Sequence, residues 1–136
     1  MAAKSTIRIQ RQLAVFLENR PGALARTCQA LAGAKINILA LSILDTVDHA
    51  IVRMVVDQPK EAEQVLTGLR VLVQAHDVIL MDIEHQAGAI SRLAEQLTNA
   101  GINIEYAYCT SPSSEQRLGG LVLRTNDLEA TINALS

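Results

Sequence analysis

Sliding the sequence along itself by 66 residues lays LENRPGALARTCQALAGAKINIL, starting at Leu17, over IEHQAGAISRLAEQLTNAGINIE, starting at Ile83. The identical pairs are Glu18/Glu84, Gly22/Gly88, Ala23/Ala89, Arg26/Arg92, Leu31/Leu97, Ala34/Ala100, Ile36/Ile102, Asn37/Asn103 and Ile38/Ile104. They spread over the whole stretch, as a duplication leaves them, so the fold must be one small unit built twice. A unit of ~65 residues buries too little surface to be robust alone, which predicts that the two copies associate closely.

Each copy predicts the same order of elements. Gln12 to Glu18 and Val78 to Glu84 are short runs rich in Val, Ile and Leu, as in strands covered on at least one face. Leu24, Cys28, Leu31 and Ala32, and then Ile90, Leu93, Ala94 and Leu97, recur at helical spacing and give each helix one apolar stripe. Gly33 and Gly101 are expected to stop these helices, after which INILALSIL and INIEYAYCT resume as strands. Turns follow at Asp45 to Asp48 and at Ser111 to Ser114. Third strands then return at Ala50 to Val56 and Gly120 to Arg124, with Gly119-Gly120 permitting a bulge. Pro59 opens a second helix through Leu69, and Asn126 is positioned to cap its counterpart from Asp127 to Leu135.

This strand, helix, strand, strand, helix order is the split βαβ plan of an α+β domain, which needs a fourth strand per sheet. Val71 to Ala75 supplies it for the first copy, before the chain turns into the second. In the second copy the sequence ends after the helix, at Ser136. Ser5 to Ile9 aligns with Val71 to Ala75 at the same offset and alternates as an edge strand does. The expected organisation is a first module at 10–75 and a second at 76–136, the latter completed by strand 5–9 crossing over. Residues 1 to 70 carry 9 Lys/Arg and 6 Asp/Glu, net +3. Residues 71 to 136 carry 3 and 8, net −5, a difference in sign that favours contact between the copies.

Composition narrows the function. Phe16, Tyr106 and Tyr108 are the only aromatic residues, which leaves no stacking platform for nucleobases. A net charge of −2 with scattered Arg and Lys gives no footprint for a phosphate backbone. The N-terminus lacks an apolar leader segment and no run approaches a membrane span, so a cytoplasmic protein is expected. Cys28 and Cys109 lack CxxC spacing and read as two reduced, interior side chains rather than a metal site.

The duplicated strand-to-helix junction is the candidate site. Such a loop presents unpaired N–H groups and the positive end of a helix dipole to an anion. Pro21 suits the first helical position and Gly22 lets a ligand approach the backbone. Asn19 and Asn37 offer amides that both donate and accept, which suits a zwitterion. The same residues are compatible with a plain helix start, an Asx turn and local backbone bonding, so the spacing leaves both readings open.

LENRPGALARTCQALAGAKINILAL resembles the signature of the ACT domain, a ferredoxin-like βαββαβ regulatory module, and is especially similar to the serine-binding domain of phosphoglycerate dehydrogenase. The resemblance covers nearly the whole chain as two consecutive modules, like the stand-alone tandem ACT proteins of bacteria. It implies antiparallel sheets packed as a pseudo-symmetric pair. It further implies a free amino acid held between modules, by the strand-to-helix loop of one and the second strand of its partner. On that basis Asn19, Arg20, Gly22, Ala23 and Leu24, with Asn37 and Ile38, are the ligand-binding positions of the first copy. His85, Gly88, Ala89, Ile90 and Asn103 are those of the second. Leu17 stands where some serine-binding members carry a His, and His85 stands at the Asn19 position, so the second site either differs in specificity or is silent.

No catalytic apparatus is expected. Cys109 and His85 form no supported nucleophile and base, Asp82 and Glu84 lie at strand spacing, and Arg20 alone is a thin counterpart of the anion-cradling loop in the acylphosphatase variant of the fold. His49 and His76 read as surface residues. The expectation is a non-catalytic sensor without cofactor or metal, a homodimer paired through equivalent sheet edges, acting on a partner enzyme of amino-acid metabolism. A constitutive interaction subunit, like the regulatory chains of acetohydroxyacid synthase, is the alternative.

Overall fold

The computed structural model describes residues 7–84, 86–110 and 118–136. Among them the chain forms six strands and four helices: β1 (Ile7–Glu18), α1 (Ala23–Gly33), β2 (Ile38–Asp45), β3 (His49–Val56), α2 (Pro59–Gly68), β4 (Leu72–Glu84), α3 (Ala89–Asn99), β5 (Ile104–Cys109), β6 (Leu118–Thr125) and α4 (Leu128–Leu135). Contacts divide it into two compact units, one of residues 11–76 and one that groups 77–136 with the start of β1.

In the first unit the strands succeed one another as β2-β3-β1-β4. β1 runs antiparallel to β3, with Leu13 opposite Met54 and Glu18 opposite His49. Alternate residues of each strand point one way, so Leu13, Val15 and Leu17 of β1 and Val52, Met54 and Val56 of β3 form one apolar face. Leu31 of α1 and Ala62 and Leu66 of α2 cover it. Fully burying one such leucine stabilises the unit by about 2 kcal/mol.

In the second unit the order is β1-β4-β6-β5. Its core joins Ile79 and Met81 of β4 and Leu121 and Leu123 of β6 to Leu93 and Leu97 of α3, with Ile7 of β1 packed against it. The expected strand at 5–9 has Ser5 and Thr6 outside the described residues, and Ile7 to Ile9 are the first residues of β1.

Several expectations change. No turn separates Val71–Ala75 from Val78–Glu84: β4 runs unbroken because LVQAHDVILMDIE contains neither Gly nor Pro to end it. The odd positions of β4 serve both cores, Val73 and Ala75 in the first, with Val71 just ahead of the strand, and Ile79, Met81 and Ile83 in the second. Gly33 is not the stop of α1. The left-handed residue is Lys35 (φ 61), the counterpart of Gly101 (φ 72) after α3. In each case the next residue closes a Schellman bond, Ile36 N–H to the Leu31 carbonyl at 3.0 Å and Ile102 N–H to that of Leu97 at 2.9 Å.

Asn126 is not the cap of α4. Asp127 is, accepting through its side chain from Ala130 N–H at 3.0 Å, while Oδ1 of Asn126 accepts from Asn103 N–H at 3.0 Å. No bulge forms at Gly119-Gly120, where β6 pairs with β4 in unbroken register. The irregularities lie instead at Ile38/Ala40 and Ile104/Tyr106. Gly120 is small for another reason: a Cβ there would lie 3.0 Å from the Thr110 hydroxyl, which accepts from Gly120 N–H. Thr27 rather than Ala32 is buried on α1, and Ala89 rather than Ile90 on α3. Cys109 is exposed on the outward side of β5, and only Cys28 is partly buried. The turn at 111–114 lies outside the described residues.

Candidate functional site

The two strand-to-helix junctions share one backbone geometry. Gly22 (φ 90, ψ −17) and Gly88 (φ 91, ψ −11) are the N-cap residues of α1 and α3, and neither helix has a side-chain cap. These left-handed caps strongly favour glycine, which explains why the pair is identical in the two copies. The turns repeat as well: Arg20 N–H reaches the Glu18 carbonyl at 2.9 Å, and Gln86 N–H that of Glu84 at 3.1 Å. Ala23 N–H is taken by the Arg20 carbonyl, at 3.4 Å. The N–H groups of Leu24 and Ala25 have no partner among the described residues.

Side chains make the junctions differ. A methyl group placed on Gly22 would meet nothing within 4 Å, whereas one on Gly88 would lie 3.0 Å from Nη1 of Arg92. Arg92 therefore folds its guanidinium back over its own helix start, and Arg26, its counterpart in the first copy, does not. The first junction opens into a cavity of about 300 Å³, built wholly from the 11–76 unit. Phe16 and Leu17 of β1 and Leu69, Val71 and Leu72 of the α2–β4 turn give it apolar walls, with Ala23 and Thr27 on the α1 side. Its charged lining is Glu18, Arg20, Arg26 and Arg70, with His49 beside them at the start of β3. Arg20 Nε lies 2.6 Å from Glu18 Oε2, a solvent-exposed pair that contributes little to stability. Arg26 and Arg70 have no carboxylate partner among the described residues.

Of the residues expected to bind ligand, Arg20 and Ala23 line the cavity and Gly22 and Leu24 stand at its helix start. Asn19 is occupied locally: its amide donates to Asp45 Oδ1 at 2.7 Å and to the Thr46 carbonyl at 3.3 Å, tying the junction to the β2–β3 turn. Asn37 and Ile38 lie at the far end of β2 from that turn. With 45 − 38 = 7 rises of ~3.3 Å they are about 23 Å away and cannot share a ligand with Asn19 inside one unit. Asn37 N–H instead donates to Asp57 Oδ1 at 2.9 Å, as Asn103 N–H does to Asn126. Gly88 and Ala89 sit at the second junction, Ile90 is 49% exposed there, and His85 lies outside the described residues. Arg26, Arg70 and His49 were not foreseen as cavity residues. The identity of Arg26 with Arg92 was visible, but nothing in the sequence distinguishes their orientations.

A protein-family model described as the ACT domain pair matches residues 7–135. No curated protein matches. Among solved structures, protein BT0572 from Bacteroides thetaiotaomicron is similar at a TM-score of 0.88 and 29% identity, over 95% of this chain and 88% of that one. The regulatory subunit of aspartate kinase from Thermus thermophilus, in ligand-free form, is similar at a TM-score of 0.70 and 16% identity, over 96% and 93% of the two chains. The regulatory subunit from Thermus flavus matches at 0.67 and 16%, over 98% and 95%. The latter two speak for the fold. No helix among the described residues is long and apolar enough to cross a membrane.

Proposed function

This chain belongs to the ACT domain pair family, a family of regulatory domains, and from that premise we propose that it is a non-catalytic sensor of a free amino acid. The observation that carries the reading is the open first junction. Gly22 is uncrowded, two helix N–H groups are unpartnered among the described residues, and a cavity lined by three arginines and one carboxylate residue adjoins them. A ligand carboxylate is favoured by the helix start and the arginines, and its ammonium by Glu18. The second junction, covered by Arg92, is the silent one.

The protein acts as a homodimer through β2. This strand stands at the edge of its unit with Leu39, Leu41 and Ile43 exposed and neither Lys nor Pro to blunt it. Antiparallel pairing of β2 with a second copy brings the partner subunit's Asn37 toward the Asp45 end, where Asn19 lies. That is how the two asparagines, apart within one unit, come to share a ligand. The signal then passes to an enzyme of amino-acid metabolism. Ile43→Lys should convert the dimer to monomer in analytical ultracentrifugation; a monomeric parent protein refutes the pairing.

The test of the sensor reading is a thermal-shift screen of the full chain against the twenty amino acids. A ligand at a hundredfold its Kd stabilises by ~2.7 kcal/mol, a shift of several degrees. If none stabilises the protein, the reading fails and the exposed β2 edge favours a constitutive interaction subunit instead.

A further inference from the structure

The cavity at the first junction holds more positive charge than a neutral amino acid can use. Arg20, Arg26 and Arg70 line it together with one carboxylate residue, Glu18, a balance of 3 − 1 = +2 over these four side chains. Arg20 is already matched by Glu18 at 2.6 Å. Arg26 and Arg70 remain, on different elements: one is on the first turn of α1, the other in the α2–β4 turn. Arg26 could have folded over Gly22 as Arg92 folds over Gly88, and it does not; Arg26 lines the cavity instead.

A guanidinium recognises a carboxylate through parallel N–H···O bonds, and two such groups entering from separate elements call for two separated anionic ends. A zwitterion with a neutral side chain supplies one. We infer that the ligand of this cavity is an acidic amino acid, its two carboxylates held by Arg26 and Arg70 and its ammonium by Glu18. The inference rests on the reading that this junction holds a free amino acid, and adds the chemical class of that ligand. A cavity of about 300 Å³ is at the small end for ligand sites, which suits a molecule of few heavy atoms.

Isothermal titration of the full chain with L-aspartate, L-glutamate, L-serine, L-lysine, succinate and inorganic phosphate tests it. An acidic amino acid should bind most tightly. Arg26→Gln and Arg70→Gln should each weaken it by about tenfold or more, the loss of one charge-assisted contact, with the ligand-free melting temperature as the control for folding. Succinate should bind less tightly because it offers Glu18 no ammonium. If serine or lysine outbinds both acidic amino acids, the inference falls while the sensor reading stands. If succinate or phosphate binds as well as the acidic amino acids, the inference also falls. If none of the four amino acids binds, the inference falls, and the thermal-shift screen of all twenty decides the sensor reading.

Discussion

The β6–α4 corner contains a buried hydroxyl pair whose removal has a predictable sign. Thr125 is 1% and Thr131 0% exposed, and their Oγ1 atoms are 2.7 Å apart. Thr131 donates to the Asp127 carbonyl at 2.7 Å, so its single proton is committed and the proton between the two hydroxyls must come from Thr125. Thr125 in turn accepts from Asp127 N–H at 3.3 Å, which closes a ring. Thr131→Val keeps the shape but leaves the Thr125 hydroxyl as a buried donor without an acceptor, at a cost of about 1–3 kcal/mol. The Asp127 carbonyl keeps its helical bond from Thr131 N–H at 3.1 Å. Replacing both, Thr125→Val with Thr131→Val, orphans only the N–H of exposed Asp127, which water can satisfy. The double variant should therefore be more stable than the single Thr131→Val variant and within about 1 kcal/mol of the parent. The first unit supports this, since the corresponding corner, beside Asp57, holds fully buried Val56 and Ala62. Urea unfolding followed by circular dichroism measures the parent, the two single variants and the double variant. A neutral Thr131→Val, or a double variant that costs the sum of the singles, refutes the ring.

Further outcomes are expected in the same assay and in thiol chemistry. Leu31→Ala, at a fully buried site of the first core, should cost about 2–5 kcal/mol in urea unfolding, and Ala32→Ser on the exposed side of α1 less than about 0.5. Asp57→Ala and Asn126→Ala should each lose about 1 kcal/mol through the Asn37 and Asn103 N–H bonds; a null effect at both would mean water replaces the clamp. Cys109 should react first with a thiol reagent, because burial raises the Cys28 thiol pKa above its ordinary value and lowers its thiolate fraction at neutral pH. Raising the pH should speed Cys28, and Cys109→Ser should remove the fast phase; a fast phase that survives that change overturns the assignment.

The duplication, the order of elements and the glycine at each helix start were legible because backbone geometry writes itself into sequence. Gly22 and Gly88 are conserved between copies through a left-handed φ that a side chain would strain. Lys35 escaped notice because it adopts the same conformation without being glycine, and Gly33, two residues earlier, looked like the stop. The choice between Asn126 and Asp127 as cap depended on which side chain Asn103 N–H would engage, a contact between residues 23 apart that no local pattern encodes. The candidate site was legible only as a backbone feature. Arg70 joins it because the α2–β4 turn comes beside β1, and His49 because it pairs with Glu18 across strands. Both are consequences of topology rather than of spacing.

Arg92 lying over Gly88 also sets how a titration of this protein must look. On the sensor reading proposed above, with Arg92 over one junction and the other open, a titration is expected to saturate at a single equivalent per chain, along a simple hyperbola. Any sigmoidal response would then have to originate between chains, and cutting Arg92 back to alanine would be the way to ask whether the duplicated unit still keeps a second berth.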